Sequence, residues 1–456
     1  MSDLIEYILL FSTAAFGLWL LYYNKEWFYS FCVFIIPLSV GIALPGGANI
    51  SFPGELMLAI LALIILWQII SKPAEFKKII FHPVSLLIIA DLIWMITTSL
   101  FSELPVVSFK RVIMRGIFIA SLFLFTIQWA ERDQNKIKLL LLYAFGLILP
   151  ICYTEFNHFW IGFDPAMNVE LSKPFFSEHT IYGAAIAFVI PFIAVAAGNF
   201  KTFGYTKLQG ILLWFLLAIL IFAEYFSFSR AGLLSLILSS LLYGFMRLKL
   251  KFKHLLFGLF CILILTFIFR SQIYELSKSN TYQSNTNQFD KHLLSAGNLN
   301  TNVSNLERVN RWKCAVRMFL DKPVTGFGPG TFQFEYGTYQ MPEEMTRIST
   351  LKGDKGNAHS ELLTSLSEQG LPGFLINLAW ILTTIGVAMR SYYQSENIIV
   401  KKVVLAALLG FTTFVFHGLF NSFLDQDKIA VLVFGTMAII VASDLTDKIK
   451  TDEKSI

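Results

Sequence analysis

Residues 180–198 read TIYGAAIAFVIPFIAVAAG, nineteen residues without a charge. About 20 apolar residues in a helix cross the hydrocarbon of a bilayer, and a run this uniform has no polar face to offer water. Runs of the same kind recur outward in both directions, at 4–23, 27–44, 54–70, 83–101, 107–130, 137–156, 208–227, 232–246, 254–271, 371–389, 403–420 and 429–443. Of the 456 residues, 55% are hydrophobic and only 15% charged, where soluble chains carry about 25% charged residues. That balance excludes a disordered chain and argues against a soluble enzyme. The alternating signal of a β-barrel is absent. The sequence therefore predicts an all-α polytopic membrane protein with about 12–13 transmembrane helices.

The formal charge of +5 reads as membrane anchoring, not as a nucleic-acid surface. Cys32, Cys152, Cys261 and Cys314 show no CxxC spacing, which argues against disulfide or zinc frameworks. Asp3 and Glu6 replace the basic start of a signal peptide, so the first apolar run is expected to stay. Short loops give the orientation. One set, from Lys25 through Lys77, Arg132, Lys201, Arg247 and Lys401 to Lys454, holds nineteen basic residues, and the opposite set holds five. The richer side is expected to be cytoplasmic.

One segment breaks the membrane pattern. The expected organisation is 1–272 as N-terminal transmembrane helices, 273–358 as a large periplasmic loop with short helices, and 359–456 as C-terminal transmembrane helices with a short cytoplasmic tail. Ser277 to Ser304 is rich in Ser, Asn, Thr and Gln and reads as a mobile loop. Ser304 and Glu307 have capping-box spacing, and a helix is expected from there to about Leu320, before Lys322-Pro323. Arg308, Arg311 and Trp312 would share one of its faces.

Basic residues on the scarce side are informative. Arg111, Arg115 and Arg230 sit near outer span ends, where an arginine either snorkels or binds an anion. Arg230 lies in the tight turn Ser227-Phe-Ser-Arg230-Ala-Gly232. His359, in Asn357-Ala-His359-Ser360, stands where the polar segment re-enters an apolar helix, with Glu361 and Glu368 behind it. A neutral imidazole there suits proton abstraction from a hydroxyl, although a lone histidine at a helix start is more often structural. Glu178 and His179, at another outer mouth, fit an interfacial or a site role equally. Asp91, mid-span, reads as an anchor between helices or as an ion relay. Gly326, Gly328 and Gly330 resemble a phosphate cradle, but Pro329 has no N–H to give an anion, so a plain turn is the better reading.

These residues fall into a pattern. Ser227-Phe-Ser-Arg230-Ala-Gly-Leu-Leu, Arg308 to Trp312 followed by Pro323-Val-Thr-Gly-Phe-Gly328, and His359-Ser-Glu-Leu-Leu with Glu368-Gln-Gly370-Leu-Pro-Gly373 resemble, in order and spacing, the motifs of the O-antigen ligase and polymerase superfamily. The resemblance covers about residues 180–445. It implies a GT-C-like fold and an inverting, metal-independent glycosyltransferase without cofactor in the bacterial inner membrane. The implied donor is an undecaprenyl-pyrophosphate-linked glycan, and the implied acceptor a hydroxyl of the lipid A-core on the periplasmic face. The arginines matching Arg230 and Arg308 are implied to hold pyrophosphate, with Arg115 and Arg311 as supporting cations. The histidine matching His359 is implied to activate the acceptor. Glu178, His179, Asn357 and Glu368 are possible supports. Polymerase and protein O-oligosaccharyltransferase share these motifs and stay open. A transporter driven through Asp91 is the reading from another class, although the halves show no inverted-repeat symmetry.

Overall fold

The computed structural model describes residues 2–43, 49–163, 170–268, 303–346, 349 and 356–454. Its helices in chain order are α1 (Ser2–Tyr23), α2 (Lys25–Ile35), α3 (Gly54–Ser71), α4 (Pro73–Ile80), α5 (Pro83–Leu100), α6 (Pro105–Trp129), α7 (Asp133–Trp160), α8 (His179–Gly198), α9 (Lys207–Phe226), α10 (Arg230–Arg247), α11 (Phe252–Ile268), α12 (Val303–Asp321), α13 (Phe332–Glu335), α14 (Glu361–Gln394), α15 (Ile398–His417) and α16 (Asp427–Lys454). The chain is an all-α polytopic membrane protein. Helices satisfy every backbone group internally, which lipid requires of any spanning segment.

Nine helices among the described residues are long and apolar enough to cross a membrane: α3, α5, α6, α7, α8, α9, α14, α15 and the Asp427–Asp447 part of α16. That is fewer than the 12–13 expected from hydropathy. One reason is plain in the run 27–44. Its helical part, α2, has eleven residues, about 16 Å at the helical rise and too short to span. The run then turns through Ile36–Leu38 into strand β1 (Val40–Ala43), which pairs antiparallel with β2 (Asn49–Phe52), Val40 opposite Phe52.

The bundle is built around α8 and α16, whose apolar windows are 83% and 89% buried inside the protein, against 33% for α3. The central helices are thus enclosed by protein and the outer ones face lipid. At one end of the bundle, Asp444 accepts from Arg390 at 2.7 Å and Ser391 at 3.1 Å and sits 3.3 Å from His82 Nε2. The candidate site lies at the opposite end.

There the polar segment docks. Helix α12 begins at Val303, so Ser304 is already inside it. The expected cap partner Glu307 turns its carboxylate to Arg311, Thr346 and Ser349 instead. Cys314, Ala315, Met318, Phe327, Phe332, Tyr336 and Ala358 form a small core of their own. Of the expected mobile loop, residues 277–304, all but the last two lie outside the described residues, and those two open α12.

The segment is fastened to α14 where that helix breaks. Gly370 leaves the helical region with φ 68°, and the freed N–H of Leu371 donates to the Pro323 carbonyl at 2.8 Å. Phe327 N–H donates to Ser367 O at 3.1 Å and Gly328 N–H to Glu368 O at 2.8 Å. A Cβ on Gly370 would run into the Val324 carbonyl, and one on Gly326 into the Glu368 backbone. Gly370→Ala is therefore expected to cost about 1–3 kcal/mol through strain at a positive φ. A lowered unfolding temperature of the detergent-purified protein checks it, and an unchanged one shows that the break is not locked.

Candidate active site

Three chain segments converge at this end. The first is the turn between α9 and α10. Ser227 Oγ donates to the Glu224 carbonyl at 2.7 Å and accepts from Ser229 N–H at 3.1 Å. Ser229 Oγ caps α10 by accepting from Gly232 N–H at 3.2 Å, and it stands 3.4 Å from His417 Nε2. His417 in turn contacts Asn421 at 3.1 Å. Between the serines Phe228 takes φ 52°, which tightens the turn and starts α10 at Arg230. The two serines are thus the local reason that Arg230 stands at a helix start.

The second segment is α12. Arg311 donates through Nε to Glu307 at 2.9 Å and through Nη1 to the Asn357 carbonyl at 3.1 Å, and its guanidinium lies 5.0 Å from the centre of the Tyr336 ring. The next residue, Trp312, donates through Nε1 to the His359 carbonyl at 3.1 Å. Arg308 contacts Asn305 at 3.3 Å.

The third is the return into α14. His359 takes φ 50°, and its N–H donates to Asn357 Oδ1 at 2.9 Å. The Asn357 amide donates to the Ser422 carbonyl at 2.8 Å, and Ser360 caps α14. Glu361 accepts the N–H groups of Phe423 and Leu424 at 2.5 and 2.8 Å. The loop between α15 and α16 is thereby tied under His359. Asn357 fixes the backbone of His359, while the imidazole makes no hydrogen bond among the described residues.

The His359 ring lines a cleft of about 230 Å³ together with Arg111, Glu178, Gln333, Asp425 and Gln426. Arg230, Arg308 and Arg311 are not part of that lining. Burial first, then the charges of Arg311 and Arg308, push the His359 imidazole down to about 3. The ring is therefore neutral at cellular pH. Burial and then the charge of Arg230 also lower Arg308, against the pull of Glu178. A second guanidinium near enough to lower Arg308 favours an anion beside them.

The remaining sequence-selected residues divide by what they touch. Glu178 lines the cleft, and His179 opens α8 beside it. Glu368 also borders the cleft, but its two oxygens accept Gly330 and Phe332 N–H at 2.8 and 3.0 Å. The glycine loop therefore gives those N–H groups to a carboxylate, as a turn and not as a phosphate cradle. Arg115, expected among the pyrophosphate ligands, is only 7% exposed. Its Nη2 binds Asp425 at 2.8 Å and its Nη1 lies 3.7 Å from Asp91. It is a buried brace, and Asp91 is its anchor. Arg311, likewise read as a supporting cation, is also only 6% exposed. It holds the chain next to His359.

Sequence reasoning missed Asp425. It pairs with Arg111 at 2.5 Å and with Arg115. Burial works to raise its carboxyl, and the two arginines overcome this and hold it below the usual range. Both partners lie more than 300 positions away in the chain, so no local pattern pointed to the residue.

Residues 215–378, which carry Arg230, Arg308 and His359, match the family model described as O-Antigen ligase. The chain carries a domain of the O-antigen ligase superfamily. No curated protein matches it. The matched residues run from within α9, through α10 and α12, into α14 past its break at Gly370. Such a site brings positive charge that suits an anion near a neutral imidazole that can take a proton.

Proposed function

We propose that this protein is an O-antigen ligase-like glycosyltransferase. It moves a glycan from undecaprenyl pyrophosphate to a hydroxyl of the lipid A-core, on the periplasmic face of the inner membrane. The observation that carries this reading is a neutral His359 at a polar cleft, with the charges of Arg311 and Arg308 acting on it and that of Arg230 acting on Arg308. Arg230 and Arg308 hold the donor pyrophosphate. His359 removes the proton from the acceptor hydroxyl, and the oxygen attacks the anomeric carbon. The bond from that carbon to the pyrophosphate oxygen breaks, and its electron pair leaves with the phosphate. Arg230 and Arg308 balance the charge that grows there. Attack opposite the leaving group inverts the anomeric centre. The step as written needs neither metal nor nucleotide, because the leaving group is already activated. Residues 1–272 and 359–456 form the membrane scaffold of this proposal, and 273–358 the loop that completes the site.

The glycolipid profile of a strain lacking the gene tests the reading. Long polymer stranded on the lipid carrier beside bare lipid A-core identifies the ligase. Core bearing a single repeat identifies the polymerase, and an unchanged profile sinks both.

The pH profile is a second expectation. The neutral ring is the competent base, so activity falls only as the ring gains a proton. With the free-enzyme value at about 3, that loss lies well below the ordinary histidine range. Between about pH 5.5 and 7.5, kcat/KM is expected to vary by less than about twofold. An acid limb centred near 6.5 would show His359 to be an ordinary solvated histidine.

A further inference from the structure

Helix α15 ends at His417, and that end meets two parts of the site at once. The His417 side chain places Nε2 3.4 Å from Ser229 Oγ, the cap of the helix that Arg230 opens. The carbonyl of the next residue, Gly418, accepts the Glu361 N–H at 2.8 Å, two residues past His359. Phe420 sets its ring 6.2 Å from that of Trp312, whose Nε1 holds the His359 carbonyl. One helix end thus touches the turn that leads into Arg230 and the loop that carries His359.

The contact to Ser229 is enclosed. His417 is 3% exposed and Ser229 2%, and polar atoms withdrawn from water need partners. Asn421 stands 3.1 Å from Nδ1, which leaves Nε2 to Ser229. A serine hydroxyl both gives and takes hydrogen bonds, so it serves Nε2 while its oxygen still accepts the Gly232 N–H. The turn needs such a hold. Phe228 keeps φ 52° there, a conformation that a bulky residue keeps only when its surroundings fix it. Helix α8 limits how the turn can move, since a Cβ on Gly183 would run into Ser229 Cβ and Ser227 Oγ. That contact is steric. The bond to His417 adds direction.

We infer that His417 is a positioning residue: through Ser229 it fixes the start of α10, and so the place from which Arg230 reaches a diphosphate. The same helix end holds the His359 loop through Gly418, so α15 sets the spacing between the two. The inference rests on the transfer reading above, in which Arg230 binds the donor pyrophosphate.

The full-length protein in nanodiscs, titrated with inorganic pyrophosphate, tests it. His417→Asn keeps an amide near Asn421 and falls short of Ser229, and is expected to weaken pyrophosphate about tenfold, the scale of one buried hydrogen bond. His417→Gln reaches as far as Nε2 does and should stay within about threefold of the parent. Ser229→Ala removes the same bond from its other end and should weaken binding comparably, which keeps the test alive if the histidine variants do not fold. Two backgrounds then locate the loss. Added to Arg230→Ala, His417→Asn should change the affinity by less than about twofold, because the group it positions is gone. Added to Arg308→Ala, it should keep its tenfold effect. A general loosening of the bundle would weaken both backgrounds alike. The inference is overturned by parent-like binding in His417→Asn, by equal losses in the Asn and Gln variants, or by a further tenfold loss in the Arg230→Ala background. If the parent protein binds no pyrophosphate, the transfer reading fails and this inference falls with it.

Discussion

Transfer from the lipid-pyrophosphate donor is expected to fall by about 10²–10⁴-fold in His359→Ala, the usual contribution of a positioned general base. The loss should fall on kcat, because the ring makes no hydrogen bond among the described residues and so leaves the fold intact when removed. The neighbouring anchors act on the backbone: Asn357 on the His359 N–H and Trp312 on its carbonyl. The truncated site therefore keeps its shape and gains space beside the cleft. Added imidazole should then restore part of the activity in His359→Ala and none in the parent protein. Transfer kinetics with purified donor and acceptor check this, and a variant that retains more than about a tenth of parent kcat removes His359 from the role of base.

The second large effect belongs to the arginine pair. Arg308→Ala and Arg230→Ala are each expected to lower kcat by about 10²–10³-fold, as deletion of a preorganised oxyanion ligand does. Lysine at either position should recover only part of the loss, since a point charge replaces a planar fork made for two phosphate oxygens. The pair acts on one leaving group, so the double variant should lose less than the product of the single losses. Electrostatics adds a sign. With Arg308 gone, one of the charges that depress the His359 ring is removed, so the acid limb of kcat/KM should move upward in Arg308→Ala. An acid limb that stays in place while activity falls would separate Arg308 from the ring.

How far the sequence reaches can be judged residue by residue. The apolar runs revealed the membrane class because the bilayer demands length and low polarity in one continuous stretch. They overstated α2, since hydropathy cannot tell a helix from a strand in a short apolar run. The available signal was Pro37, Gly41 and the Pro45-Gly46-Gly47 turn residues. The site motifs were legible where the contacts are local, as in the Ser227–Gly232 turn and in the shared face of Arg308, Arg311 and Trp312. Arg115 was misjudged and Asp425 missed for one reason. Their pairing spans 310 positions, and a sequence read in windows shows an arginine at a span end without showing that a distant carboxylate has claimed it.

The fastening of the polar segment to α14 runs through main-chain groups: Phe327 and Gly328 onto Ser367 and Glu368, and Leu371 onto Pro323. Such bonds are indifferent to which side chains the partners carry, provided that glycine stays where the chains meet at Gly326 and Gly370 and that the Glu368 carboxylate stays to hold Gly330 and Phe332. The segment is thus a module with a standard fitting. The side chains it turns toward the cleft can change while its seat on the bundle is kept. Transplanting residues 303–346 from a chain of different acceptor preference should carry the preference across without rebuilding the helices beneath.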